Sequence, residues 1–163
     1  MELSEHVQYI LHSAKTIVYA RDYDAVEPEH IMLALFKDEN DLPKIILEKI
    51  GLDNPRLIRD FSANIPKRNG YAPQRSQDPP LSQKTIKLLE TAEKEALSYG
   101  DNIVSIEHLF LALFKTQSVV MDYVFKQYSI KQKELYGKMK DVIDGMTSVD
   151  IIDGKVVESG SNF

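Results

Sequence analysis

The sequence predicts an all-α fold built as two four-helix halves, and three observations carry that prediction. A nine-residue stretch, Glu29-His30-Ile31-Met32-Leu33-Ala34-Leu35-Phe36-Lys37, returns as Glu107-His108-Leu109-Phe110-Leu111-Ala112-Leu113-Phe114-Lys115, 78 residues further on (29 to 107). Each copy holds six consecutive apolar residues, mostly helix formers, and Pro28 precedes the first copy where a helix tolerates a missing N–H. The same offset extends outward: Ser4 falls on Ser82, Leu11 on Leu89, Ala14 on Ala92, Val26 on Val104 and Leu57 on Leu135, the mark of an internal duplication. A helix apolar on every face must be enclosed by its neighbours, so each copy is expected at the centre of its own small bundle.

The elements follow in order. Val7, Ile10, Leu11, Ala14, Ile17 and Val18 keep helical spacing behind Ser4, a good N-cap, which predicts a first helix to about Ala20. The loop at 21–24 leads into the central helix, expected to stop near Asn40. A third helix runs from about Leu42 to Ile50, with Pro43 in its first turn and Gly51 as its terminator. A fourth starts at Asn54-Pro55 as N-cap and first position and reaches about Asn64. Residues 66–80 carry four prolines and one glycine and read as an irregular connector. The series then repeats: Ser82 to about Tyr99, a central helix capped by Ser105, and helices near 119–128 and 131–144, with Gly145 as the stop. This gives repeat one at 1–65, a linker at 66–80, repeat two at 81–145 and a tail at 146–163. If the halves pack face to face, a pseudo-twofold axis relates them. In the tail, Asp153-Gly154 lies between two β-branched runs, a strong hairpin signal, though an isolated hairpin needs a surface to rest on.

Composition narrows the function. With 163 residues, 43% hydrophobic and 28% charged, the chain can bury a core. A net charge of −5 with no Lys/Arg cluster argues against nucleic acid or an acidic membrane surface as partner. Zero cysteines exclude disulfides and thiolate metal sites, and the sequence shows neither a signal peptide nor an apolar run of transmembrane length, so a cytoplasmic location is expected.

At Val26-Glu27-Pro28-Glu29-His30-Ile31-Met32-Leu33-Ala34-Leu35, and at Gly100-Asp101-Asn102 followed by Ser105-Ile106-Glu107-His108-Leu109, the chain resembles the N-terminal domain of the Clp family of AAA+ unfoldases (ClpA, ClpB, ClpC), which is made of two Clp repeats. The resemblance spans about residues 1–145. It implies a module that binds unfolded or tagged protein segments, or an adaptor protein, and delivers them to an ATPase ring. The isolated domain would be a monomer, and a full-length unfoldase a hexamer. Nothing in the chain matches Gly-x-x-x-x-Gly-Lys-Ser/Thr, the loop that cradles nucleotide phosphates, so neither catalysis nor a cofactor is expected of it. The alternative is a free-standing Clp-repeat regulatory protein that binds a partner or dimerises through the cleft or the tail.

The Glu-His pairs are poor candidates for chemistry. Adjacent helical residues point about 100° apart, and helical metal motifs need His at i and i+4, which His6 and His12 do not supply either. His30 and His108 read instead as side chains of the first turn, hydrogen-bonded to a nearby loop. Glu29 and Glu107 are more informative when set beside Ser4 and Ser82. A helix start offers amides and a hydroxyl to an anion, and a nearby carboxylate offers a bidentate site to a guanidinium. The resemblance implies that Ser4, Ser82, Glu29 and Glu107 match two symmetric phosphoarginine pockets of some relatives, with Ser where those carry Thr. It also implies a groove between the repeats in ClpB-like relatives, whose acidic edge falls at Asp101 and Glu107 and whose hydroxyl wall falls at Ser4. Three apolar groove positions fall at Thr91, Glu95 and His108, which predicts a less hydrophobic lining. None of Tyr23, Tyr71, Tyr99, Tyr123, Tyr128 and Tyr136 stands out as a peptide anchor.

Overall fold

A computed structural model describes residues 1–39, 41–68, 78–146 and 149–158. Asn40, Tyr71 and most of the predicted connector lie outside the described residues. Within them the chain forms α1 (Glu5–Ala20), α2 (Pro28–Lys37), α3 (Asp41–Ile50), α4 (Asn54–Asn64), α5 (Gln83–Ser98), α6 (Ile106–Leu113), α7 (Val119–Lys126) and α8 (Gln132–Asp144).

The central helices are α2 and α6. Ile31 through Leu35 and Leu109 through Leu113 are buried without a polar face, and only enclosure on all sides satisfies such a surface. Each is flanked by the amphipathic helix before it, α1 along α2 and α5 along α6. The first buries Val7, Ile10, Ala14 and Val18, the second Leu88, Ala92 and Ala96. Ser4 and Ser82 cap these helices, their hydroxyls accepting from the Val7 and Thr85 amides at 3.1 Å each. Gly51 ends α3 with φ +90, a conformation that a Cβ would strain. One cap differs from expectation: Asp53, not Asn54, caps α4 by accepting from the Arg56 amide (3.4 Å), which places Asn54 inside the first turn.

Contacts across the junction are reciprocal. Helix α3 packs on α8 and α4 on α7, so the third helix of each half meets the fourth of the other, as a pseudo-twofold relation requires. Edge-to-face and tilted rings run through the seam: Phe36–Phe61 (5.4 Å between centroids), Phe61–Phe125 (5.8 Å), Phe125–Phe114 (5.3 Å) and Phe114–Phe110 (5.2 Å).

Backbone pairing ties the halves together a second time. Strand β1 (Glu2–Leu3) runs parallel to β2 (Ile103–Val104), and the Ser4 amide donates to the Val104 carbonyl (2.9 Å). Its counterpart is a bridge between Val26 and Leu81, with the Ser82 amide donating to the Val26 carbonyl (3.1 Å). Each repeat's first helix is thereby pinned to the segment leading into the other repeat's central helix.

The tail hairpin forms as the Asp-Gly signal implies. Strands β3 (Val149–Ile152) and β4 (Lys155–Glu158) pair antiparallel, with Ile152 opposite Lys155. Asp153 (φ +47) and Gly154 (φ +86) turn the corner with the left-handed backbone of a type I′ turn. The turn is docked, not free: the Leu42 amide donates to the Gly154 carbonyl (2.9 Å).

The aromatic seam yields a stability prediction. Phe61 is fully buried and links rings from both repeats, so Phe61→Ala should cost about 3–5 kcal/mol in urea denaturation. A loss under about 1 kcal/mol would show that the seam carries little of the packing.

Candidate functional site

The start of α1 and the start of α6 converge on one position, and the carboxylate of Asp153 fills it. Its Oδ1 accepts from the Ser4 hydroxyl (2.6 Å) and the Ile106 amide (3.1 Å), and its Oδ2 from the His6 amide (3.2 Å). Two helix N-termini, one from each repeat, thus aim unpaired amides and their positive dipole ends at a single anion. Around this seat opens a cleft of about 760 Å³ lined by Ser4, Asp101, Ser105, Glu107, Ile151 and Asp153 among others. A smaller recess of about 250 Å³ continues past Asp101 and Glu107 to His108 and Leu111.

His6 completes the seat. Its Nδ1 faces the Asp153 carbonyl (2.9 Å) and its Nε2 faces Asp38 Oδ2 (2.7 Å). A carbonyl and an ionised carboxylate only accept, so the state that satisfies both is the doubly donating imidazolium. Burial opposes that charge, but the hydrogen bonds and charges of Asp153 and Asp38 outweigh it and raise the His6 pKa above 6.5.

Glu107 pays for its position beside Asp153. Burial is the largest cause pushing its pKa up to about 7, and the Asp153 and Asp101 charges add to it, against its own amide and that of Gly154. Its Oε1 is buried without a hydrogen-bond partner among the described residues. His108 accepts from the Ser105 amide at Nδ1 (2.9 Å) and meets Asp101 at Nε2 (3.0 Å), with burial holding its pKa down. His30 caps α2 in the same way, accepting from the Glu27 amide (2.9 Å). Burial first, then Arg21 and Arg68, push His30 down to about 4.

The pseudo-symmetric position around Ser82 and Glu29 is built differently. There the Ser82 hydroxyl donates to Thr85 Oγ1 (3.1 Å), which donates to the Val26 carbonyl (2.7 Å). Pro28 stands where Ile106 stands in the other repeat, and proline has no amide to offer. Lys84 replaces His6. Glu29 is buried enough to raise its pKa, with Glu27 adding to the rise, while its own amide, the Ser118 hydroxyl (3.4 Å) and Lys84 oppose it.

The structure therefore brings Ser4, Asp101 and Glu107 into one cleft and leaves Ser82 and Glu29 at the other end of the junction. One groove position is closed and another lies at the base of the recess. Glu95 is 4% exposed, paired with Lys115 (2.8 Å) and accepting from the Tyr136 hydroxyl (2.8 Å), while His108 is buried at the recess floor. The half-buried Thr91 turns its hydroxyl to the Lys87 carbonyl (3.0 Å). Sequence reading missed His6, Asp38, Asp153 and the Ile106 amide. The Pro28/Ile106 mismatch between repeats was the available signal. Among the described residues, no helix is long and apolar enough to cross a membrane.

Two titrations check this electrostatic picture. The Glu107 pKa is raised from 4.5 to about 7, so its ionisation costs stability fully above about pH 7 and not at all below about 4.5. Glu107→Gln should stabilise by about 2 kcal/mol at pH 8 and by nearly nothing at pH 4.5 in denaturant titrations, and a pH-independent effect would refute it. Imidazole NMR should find His6 charged at pH 6.5 and His30 neutral at pH 5; the opposite order would contradict the assigned contacts.

Comparison with known proteins bears on the fold. The Clp repeat (R) N-terminal domain profile matches residues 2–128. The chain is similar to the chaperone protein ClpB of Agrobacterium fabrum, 30% identical over 148 residues, covering 89% of this chain and 16% of that protein. It is 28% identical over 141 residues to ClpB of Bacteroides thetaiotaomicron, covering 85% and 16%. It thus spans about 16% of the length of these relatives. Among solved structures, the Hsp104 N-terminal domain from Candida albicans superposes with a TM-score of 0.74 at 16% identity, covering 98% of this chain and 97% of that one. The N-domain of ClpV from Vibrio cholerae gives 0.66 at 15% identity over 90% and 87%, and a ClpV N-domain in complex with a VipB peptide gives 0.61 at 17% over 86% and 88%. At such identities the superpositions establish the fold. With most of its length matched by the family profile, the chain belongs to the Clp repeat N-terminal domain family.

Proposed function

We propose that this chain is a non-catalytic, cytoplasmic binding module of a Clp-type ATPase, which receives unfolded or tagged protein segments, or an adaptor protein, in the cleft at Ser4, Asp101 and Glu107. The observation that carries this reading is the docked hairpin: the cleft holds a strand–turn–strand segment through helix-end amides, a hydroxyl and an imidazole. Three of these four contacts fall on the Asp153 carboxylate and one on its carbonyl, so the cleft takes up a polypeptide segment through an acidic side chain as well as its backbone. The peptide bound to a related ClpV N-domain supports a peptide ligand here. The module needs no cofactor for this role.

The same seat suits a group that carries both signs of charge. An anion placed on the Ser4, His6 and Ile106 donors leaves Glu107 and Asp101 within the same cleft for a guanidinium, and phosphoarginine on a tagged client is a ligand of this kind. Ser82 and Glu29 form the weaker second position, since Pro28 removes one donor.

Fluorescence anisotropy with unfolded casein and with a phosphoarginine peptide tests the proposal. Asp101→Asn combined with Glu107→Gln keeps the shape and the hairpin's donors but removes two charges, and should weaken binding at least tenfold, whereas Glu29→Gln should change it little. Unchanged affinity in the double variant would overturn the assignment of this cleft.

A further inference from the structure

We infer that the β3–β4 hairpin is a tethered occupant of the cleft's anion seat, and that a partner protein enters by presenting an acidic residue at a tight turn in place of Asp153. The inference rests on the reading of this cleft as the binding site. The seat exists independently of the hairpin. Its donors belong to α1 and α6, which the β1–β2 pairing and the Ser4–Val104 hydrogen bond hold together. Besides this seat, the hairpin's contacts among the described residues include the Leu42–Gly154 hydrogen bond, packing of β4 on α3, and Ile151 and Val156 against the core. Ile152 is 62% exposed and Val157 44%, and Ile151 and Val156 are only partly buried. A lone two-stranded hairpin is marginal in water, so its order here depends on docking.

The balance is drawn finely at the tip itself. The donors attract the Asp153 carboxylate, while Glu107 and Asp101 repel it from the same cleft. Gly154 is buried against α6, where a Cβ would lie 2.8 Å from the Ile106 Cβ and Cγ2 atoms, so the seat accepts only a turn whose next residue has no side chain. Acid followed by glycine in a left-handed turn is therefore what a polypeptide turn docking in this pose must offer. A short tether gives the hairpin an effective concentration of about millimolar, so weaker ligands are excluded without any further contact.

The test uses the full chain and a labelled, disulfide-closed peptide copying residues 149–158. Asp153→Asn keeps the left-handed turn but sets an amide NH2 where an acceptor meets the Ser4, His6 and Ile106 donors. Gly154→Ala drives a methyl into Ile106. Both chains should bind the peptide at least tenfold more tightly than the unaltered protein, and a peptide carrying Asp153→Asn should bind none of them. Equal peptide affinity in all three chains would overturn the inference. Unfolded casein as a second ligand separates the two readings: a gain in peptide binding with no casein binding in any chain supports the tethered occupant while overturning the proposed client role.

Discussion

Two helices without a polar face constrain everything else in this protein. Neither α2 nor α6 can lie on a surface, and four short helices alone cover such a cylinder poorly. The halves solve the problem jointly, each lending its third and fourth helices to the other and sharing a ring cluster through the seam. A consequence is that the junction is sealed at its middle. Among the described residues, clefts open at its ends, beside Ser4 and beside Glu29, where helix starts offer backbone amides.

Duplication made two such ends, and divergence made them unequal. Ile106 contributes an amide where Pro28 cannot, and His6 contributes an imidazole where Lys84 contributes a mobile cation. The first end can therefore hold an anion on fixed donors, while the second has turned its serine hydroxyl inward to Thr85. Pseudo-symmetry of the backbone coexists with a difference in chemistry at matching positions.

Much of this was legible in the sequence. The repeat offset and the apolar runs gave all eight helices, and Ser4, Ser82 and Ser105 marked their helix starts. The Asp-Gly turn was legible too, because type I′ geometry demands those residues. The two-residue strands were not, since two residues carry no periodicity. Nor was the docking of the tail, which joins the Ser4 hydroxyl to Asp153, 149 positions away, and adds the backbone amides of His6 and Ile106, donors that leave no mark in the sequence. Glu95 was not legible for a related reason: sequence gives a residue's neighbours on its own helix, while Lys115 and Tyr136 reach Glu95 from elsewhere.

That the anion seat is built from amides, a hydroxyl and one imidazole already paired with Asp38, in a chain of net charge −5, has a consequence for selection. Cationic side chains would draw in any anion over a Debye length of about 8 Å, nucleic acid included. Amide dipoles fall off within the first turn of a helix, so they act only on a group already in place. The surrounding carboxylates of Asp101, Glu107 and Asp38 meanwhile repel free anions. An acid borne on a polypeptide can overcome that repulsion with backbone and side-chain contacts, which a small ion lacks. The seat thus reads the chain that carries the charge together with the charge itself, and the tail, which already supplies both, sets the standard that an incoming segment has to exceed.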